Sequence, residues 1–248
     1  MANPIKQFEI QPLVPFHVGG FDLSYTNSAL WMTIAVVVST TLLSLAMRKR
    51  ALVPGRLQAF AEMLYEFVAG MIRENIGNKG RQYFPLIFTL FVIVLLGNML
   101  GMLPYSFTYT SHIIVTAALA FFIFFIVMIV GVVKHGTHFF SLFIPPGVPW
   151  WLMPLIIPIE VMSFLIRPVT LSVRLFANMI AGHIMLKVFA GFSVGMFAAG
   201  GFLTLGGIGP MLFNSVLIGF EFLIAFLQAY VFAILSCIYL KDTVEIGH

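Results

Sequence analysis

The chain has 248 residues, of which 60% are hydrophobic and only 9% are charged. Soluble domains carry about 25% charged residues, so this composition excludes an ordinary soluble protein and indicates a membrane protein. The net charge of +4 does not indicate a nucleic-acid partner, because the few basic residues lie at the edges of apolar spans. The single cysteine, Cys237, lies in an apolar run and excludes an intrachain disulfide.

The first half of the chain predicts three membrane-crossing helices. Residues 1–28 are polar and predict an extended arm, and the spans 29–47, 85–103 and 113–133 are each long enough to cross ~30 Å of hydrocarbon. The basic cluster Arg48-Lys49-Arg50 predicts that the first span ends on the cytoplasmic side and that the N-terminus lies outside.

Smaller features of this half carry weaker signals. Residues 56–76 place apolar side chains three and four apart among charges, which indicates an amphipathic helix on the inner surface or against a partner subunit. The spacing of Gly97 and Gly101 predicts a close contact between helices. His135 and His138 lack a third ligand and are interpreted as loop residues.

The second half predicts two long helices, at 158–192 and 202–240. Prolines are dense before the first, which predicts a connection over 134–157 that is not a simple membrane helix. A glycine-rich segment joins the two helices, and a polar tail is predicted at 241–248 with the C-terminus inside. The predicted fold class is an all-α integral membrane protein with three transmembrane helices, an amphipathic surface helix and two long antiparallel helices.

Arg174 lies near the middle of the first long helix. An arginine at the centre of a membrane helix costs about 2.5–3.5 kcal/mol on insertion scales, so it must face water, protein or an anionic partner. The alternative is a structural arginine paired inside the chain. The position therefore predicts a functional site at Arg174.

A hairpin about Gly200-Gly201 predicts which polar residues face each other. A single register places His183 opposite Glu221 and Arg174 opposite Gln228. Histidine titrates in water at about pH 6.5 and glutamate at about pH 4.3, so the first pair can form a proton relay. The alternative is a buried His–Glu hydrogen bond that only fixes helix packing.

The stretch RPVTLSVRLFANMIAGH at 167–183, with FLQAYVFAILSCIYL at 226–240, resembles subunit a of the F-type rotary ATP synthase. The likeness covers nearly the whole chain. It implies that the two long helices are tilted against a ring of c subunits and that Arg174 faces the proton-carrying carboxylate of this ring. Asn178 and Gln228 match residues that help to position the arginine.

The resemblance also implies a proton path. His183 and Glu221 match the pair that lines the half-channel from the outer side, in the order of mitochondrial-like members, whereas many bacterial members reverse the two types. Glu160 matches an acidic residue near the inner exit, and Arg167 matches a basic position at the inner boundary. The coupling ion, H⁺ or Na⁺, stays open.

The implied protein is a non-catalytic, proton-translocating stator subunit without cofactor or metal. Its implied partners are the c-subunit ring, the b-subunit peripheral stalk, the F1 sector and the lipid bilayer. Its implied location is the bacterial inner membrane or, alternatively, the mitochondrial inner membrane. A secondary transporter that binds an anion at Arg174 is the rival functional class, although the sequence shows no paired repeats. A purely structural scaffold is the second rival.

Overall fold

The computed structural model describes residues 8–15, 17–18, 21–22, 24–48, 51–103, 106–136, 139 and 149–244. Helices form most of the described chain, which confirms the all-α membrane fold. They are α1 (Asn27–Arg48), α2 (Arg56–Asn75), α3 (Phe84–Gly101), α4 (Ile113–His135), α5 (Met153–Ala199), α6 (Leu203–Gly206) and α7 (Ile208–Val244). Short 3-10 helices lie at Gly77–Tyr83, Tyr109–Ser111 and Trp150–Leu152.

The N-terminal arm contains short antiparallel strand pairs. Strand β1 (Pro12–Val14) pairs with β4 (Tyr25–Thr26), and β2 (His17–Val18) pairs with β3 (Phe21–Asp22). The Asn27 side chain holds this arm to the start of α1, because its Oδ1 accepts a hydrogen bond from the Gln11 amide at 3.2 Å. The predicted extended arm is thus folded back on itself over its described residues.

Five helical segments of the described chain are long and apolar enough to cross a membrane. They are Asn27–Arg48, Gly77–Gly101, Ile113–His135, Trp150–Ala199 and Leu203–Val244. Helix α5 has 47 residues. At a rise of about 1.5 Å per residue it measures roughly 70 Å, more than twice the ~30 Å hydrocarbon layer. A straight α5 therefore cannot lie along the membrane normal.

The predicted start of the first long helix at residue 158 was wrong. Helix α5 begins at Met153 and includes Pro154 in its first turn and Pro158 further in. A proline in the first turn removes no helical hydrogen bond, because the N–H groups there have no acceptor within the helix. Only Pro158 and Pro168 interrupt the ladder.

The predicted end of this helix at residue 192 was also wrong. Helix α5 continues through Gly191 and Gly195 to Ala199. In an apolar medium an unpaired peptide group is costly, and this cost outweighs the weak helix propensity of single glycines. The chain leaves the helix at Gly200 and Gly201, whose φ angles of 71° and 63° lie in the left-handed region that glycine adopts without strain.

The structure also differs from the predicted bounds of the second long helix, 202–240, and from the predicted start of the polar tail at residue 241. A short helix, α6, precedes α7, and α7 continues to Val244. Lys241 and Asp242 are therefore helical rather than part of a polar tail, and of the predicted tail only residues 245–248 lie outside the described residues. His135 likewise ends α4 instead of lying in a loop, and His138 lies outside the described residues.

The fold divides into two compact units that cut across the long helices. The first unit contains Met1–Thr41, Ile93–His112 and Leu175–Ala229, and the second contains Leu42–Val92, Ile113–Arg174 and Tyr230–His248. Fully buried side chains of the first unit include Asn98 and Met179. Those of the second include Phe91, Phe232 and Cys237, so the lone cysteine is a packing residue.

Gly97 and Gly101 form a notch in α3, but its occupant differs from the prediction. A Cβ at Gly97 would overlap the Tyr109 ring, and one at Gly101 would overlap the Thr108 side chain. The two glycines therefore admit side chains of the loop that follows α3, rather than another helix. The small-residue spacing does allow a close approach, but the sequence does not specify which group approaches.

Candidate functional site

A buried histidine–carboxylate pair lies in the first unit, between α5 and α7. His183 Nδ1 is 3.6 Å from Glu221 Oε1, and the two side chains retain 11% and 5% of their exposure. The two groups are thus in close contact without a direct hydrogen bond, and a protonated His183 would form an ion pair with the carboxylate. Among the described residues, neither carboxylate oxygen of Glu221 has a hydrogen-bond partner.

Further contacts between α5 and α7 follow the same antiparallel register. The rings of Phe189 and Phe213 are 4.7 Å apart, and the Ser193 hydroxyl donates to the Gly207 carbonyl at 2.9 Å. With the left-handed turn at Gly200-Gly201, these contacts fix the alignment that brings His183 opposite Glu221. The facing of this pair was predicted from the sequence, and the structure has it.

Gly182 allows Glu221 to approach α5. A Cβ built at Gly182 would lie 2.7 Å from Glu221 Oε1 and 2.9 Å from its carboxyl carbon. A Cβ atom does not approach a non-bonded carbon or oxygen this closely, so any side chain at position 182 would displace the carboxylate. The glycine before His183 therefore sets the distance within the pair.

Asn98 fixes α7 close to Glu221. Its side-chain amide donates to the carbonyl oxygen of Ala225 at 3.1 Å, and Asn98 is fully buried. Ala225 lies one helical turn after Glu221, so this bond anchors the helix beside the carboxylate. A buried amide without a partner would be costly, which makes the bond a specific constraint on α3 and α7.

The loop after α3 contacts the other side of the histidine. Thr108 Oγ1 lies 3.0 Å from His183 Nε2 and 3.1 Å from the Gly101 carbonyl oxygen. The ring of Phe8 meets the His183 ring edge-on, with centroids 6.2 Å apart. Both ring nitrogens of His183 therefore face a defined polar atom, and Phe8 packs against the ring.

The other predicted site residues are not part of this contact. Asn178 and Gln228 belong to the first unit, are partly buried, and form no hydrogen bond with a described residue. Arg174 and Glu160 belong to the second unit, where Arg174 is exposed and Glu160 is half-buried. Neither forms an ion pair with a described residue of that unit.

Arg167 forms an ion pair in the second unit. Its Nη1 donates to Asp242 Oδ2 at 2.7 Å, and both side chains keep about a third of their exposure, 31% and 34%. The guanidinium also lies over the rings of Phe164 and Tyr239, at 5.5 and 5.3 Å from their centroids. This arrangement satisfies the charge of Arg167 by an anion and two aromatic faces.

Sequence reasoning missed Thr108 and Asn98 as parts of the site. Asn98 is the one strongly polar residue of its apolar span, and Thr108 lies in a loop without charged residues. A buried amide in an apolar span signals that a partner exists, but the partner carbonyl is far away in the sequence. The threonine carries no such signal, since hydroxyls are common in loops.

Comparison with known proteins identifies the family. The family model of the ATP synthase A chain matches residues 29–241. ATP synthase subunit a of Mesorhizobium japonicum is 54% identical over 247 residues, covering 100% of this chain and 98% of the relative. The subunits of Paramagnetospirillum magneticum and Rhodospirillum rubrum are 53% and 55% identical, with 99% of each chain covered. The chain therefore belongs to the ATP synthase A chain family and is a membrane-spanning subunit a of that family.

Proposed function

We propose that the chain is the proton-translocating stator subunit of an ATP synthase, and that it passes protons to and from carboxylates of a c-subunit ring. The observation that carries this proposal is the buried His183–Glu221 pair, whose histidine lies on the same helix as Arg174. A titratable pair inside an apolar bundle is costly, and a scaffold has no need of it. Proton transfer accounts for a titratable pair at this buried position.

Arg174 separates two aqueous routes in this proposal. A ring carboxylate must be neutral where it faces lipid, because a bare charge there is costly. Beside Arg174 it can be ionised, since an opposite charge within about 4–6 Å favours the charged form. Arginine does not release its proton at any working pH, so Arg174 blocks a direct leak between the routes.

The other polar residues have distinct roles. His183 and Glu221 conduct protons on the outer route, Asn178 and Gln228 position Arg174, and Glu160 lies near the inner exit. A proton from outside neutralises one ring carboxylate, the ring turns, and another carboxylate releases its proton inward. The membrane potential contributes about 2.3 kcal/mol per charge per 100 mV to this flow.

The proposed setting is the bacterial inner membrane, with the N-terminus outside and the C-terminus in the cytoplasm. The relatives are bacterial, which supports this setting over the mitochondrial one. The c-ring, the b-subunit stalk and the F1 sector are the proposed partners. A lone chain that transports an anion without them would favour the rival class of secondary transporter.

Replacing Arg174 tests the function. Arg174→Ala should leave the complex assembled but abolish both ATP-driven proton pumping and proton-driven ATP synthesis, and passive proton leak should rise. Arg174→Lys should also fail, because a compact ammonium lacks the planar guanidinium and can lose its proton when desolvated. Complex yield and proton flux are measured together in inverted membrane vesicles.

Arg167→Ala is the matched control, because it removes an arginine from the same helix that is already paired with Asp242. It should keep most of the coupled flux. Normal assembly with normal coupled flux in Arg174→Ala would refute the proposal.

A further inference from the structure

We propose that Thr108 is a positioning residue that selects the Nε2–H tautomer of His183 and leaves Nδ1 free to accept a proton from Glu221. The inference rests on the proposed function, in which this pair conducts protons. It assigns a role to a loop residue that lies in neither long helix. It also assigns the proton-accepting atom of the pair.

The hydrogen-bond geometry determines the tautomer. Thr108 Oγ1 lies 3.1 Å from the Gly101 carbonyl oxygen, and a carbonyl oxygen can only accept a hydrogen bond. The single hydroxyl hydrogen must therefore point to Gly101, because two oxygens without a hydrogen between them would repel each other at this distance. The hydroxyl oxygen is then an acceptor toward His183 Nε2 at 3.0 Å, so Nε2 must carry the hydrogen.

The other ring nitrogen is consequently unprotonated when His183 is neutral. That nitrogen, Nδ1, is the atom 3.6 Å from Glu221 Oε1, and neither carboxyl oxygen of Glu221 has a hydrogen-bond partner among the described residues. A protonated Glu221 therefore faces a free lone pair. In the opposite tautomer Nδ1–H would face the acid's O–H group, and no proton could pass.

The proposed proton transfer from Glu221 to His183 breaks one bond and forms one bond. The O–H bond of the Glu221 carboxyl breaks, its electron pair stays on the carboxylate oxygen, and the proton forms a new bond to His183 Nδ1. The product is a carboxylate beside an imidazolium, which the short distance stabilises. Shortening the gap to hydrogen-bond distance needs a movement of about 0.7 Å, and reversal of the step regenerates the neutral pair.

Few charged groups of the first unit surround His183. Lys187 lies one turn further along α5 and shares its face, and Glu221 faces it from α7. In the loop after α3, the Tyr109 hydroxyl donates to the Ile93 carbonyl, and the His112 ring stacks on Phe107. Thr108 contacts His183 from this loop, and its hydroxyl orients the tautomer.

Thr108→Val tests the proposal, because valine keeps the shape and removes the hydroxyl. In the assembled complex, proton flux should fall about tenfold, the effect expected when one buried hydrogen bond is lost. Thr108→Ser retains the hydroxyl and should keep most of the flux. Equal losses in both variants would mean that only packing matters, and would overturn the proposal.

Ser106→Ala is the matched control. Ser106 donates to the same Gly101 carbonyl at 2.8 Å, but the structure records no contact with His183. A merely structural role of the loop hydroxyls predicts the same loss in Ser106→Ala as in Thr108→Val. The proposal predicts that Ser106→Ala keeps its flux, and an equal loss would overturn it.

A spectroscopic readout reports the tautomer directly, without a measurement of proton flux. Solid-state ¹⁵N spectra of the complex with labelled histidine report which ring nitrogen is protonated, and the His183→Gln spectrum identifies the signal. The wild type should show Nε2–H, and Thr108→Val should shift population toward Nδ1–H. A wild-type signal from Nδ1–H at neutral charge would overturn the assignment.

Failure of this inference differs from failure of the proposed function. If Arg174→Ala blocks coupled flux while Thr108→Val matches the wild type in flux and tautomer, only the role of Thr108 is refuted. If Arg174→Ala conducts and couples normally, the proposed function itself fails.

Discussion

Two acid–base contacts among the described residues, Arg167–Asp242 and His183–Glu221, have opposite designs. Arg167 and Asp242 are 2.7 Å apart, a third exposed, and supported by two aromatic rings. His183 and Glu221 are 3.6 Å apart and buried, and the carboxylate has no hydrogen-bond partner among the described residues. In the first pair a direct hydrogen bond joins the guanidinium to the carboxylate. In the second pair the imidazole and the carboxyl are too far apart for a direct hydrogen bond.

The difference indicates which pair is structural. The Arg167–Asp242 pair is joined by a direct hydrogen bond at 2.7 Å and fastens α5 to α7 within the second unit. Histidine and carboxyl can exchange a proton, so the His183–Glu221 pair is able to change state, as the proposed function requires. Burial alone does not distinguish the two roles; the chemistry of the groups and their unsatisfied atoms does.

Removing the titratable carboxyl proton of the His183–Glu221 pair should have the largest effect on coupled proton flux. Glu221→Gln keeps the shape but cannot release a carboxyl proton, so coupled proton flux should fall by about a hundredfold or more. The matched change, Asp242→Asn, should leave the flux of assembled complex near normal. Flux is measured in vesicles at equal complex content, and similar losses in both variants would erase the proposed distinction.

Exchanging His183 and Glu221 with each other should restore part of the proton flux that either single substitution removes. His183→Glu and Glu221→His should each be severely defective, whereas the double exchange should recover flux well above either, because both groups are again present in contact. A double-mutant cycle on flux measures the coupling. A double variant no better than the worse single variant would show that the residues do not act together.

Displacing the carboxylate without removing it should have a smaller effect. Gly182→Ala places a methyl group 2.7 Å from the present position of Glu221 Oε1. It should lower flux about tenfold or more, since displacements near 1 Å are costly for transfer steps. Gly191→Ala is the control, because a Cβ there meets nothing within 4 Å. Unchanged flux in Gly182→Ala would show that the distance within the pair is not critical.

Breaking the structural pair should have the smallest effect on flux. Arg167→Ala should lower the stability of the complex by about 1 kcal/mol, the usual size for a partly exposed ion pair with an aromatic contact. The midpoint of thermal dissociation should fall by a few degrees. Added salt should reduce the difference in midpoint between Arg167→Ala and the wild type. A collapse of flux without any loss of stability would assign Arg167 to proton transfer instead.

The sequence by itself determined the class of fold and the position of the central polar residues. Hydrophobicity and charge placement are local, so spans, an amphipathic helix and an arginine in an apolar helix can be read directly. The facing of His183 and Glu221 was also predictable, because a glycine pair sets the turn and two helices have a fixed rise per residue.

Only the tertiary structure decided where the helices end and what surrounds the pair. Helix α5 runs through its glycines and its early prolines, because backbone hydrogen bonds in an apolar medium outweigh local propensity. The notch at Gly97 and Gly101 receives the loop after α3, which brings Thr108 to His183 from 75 residues away. Asn98 likewise donates to the carbonyl oxygen of Ala225, which lies 127 residues later in the chain. Such contacts depend on packing between distant segments, and no local pattern of residues encodes them.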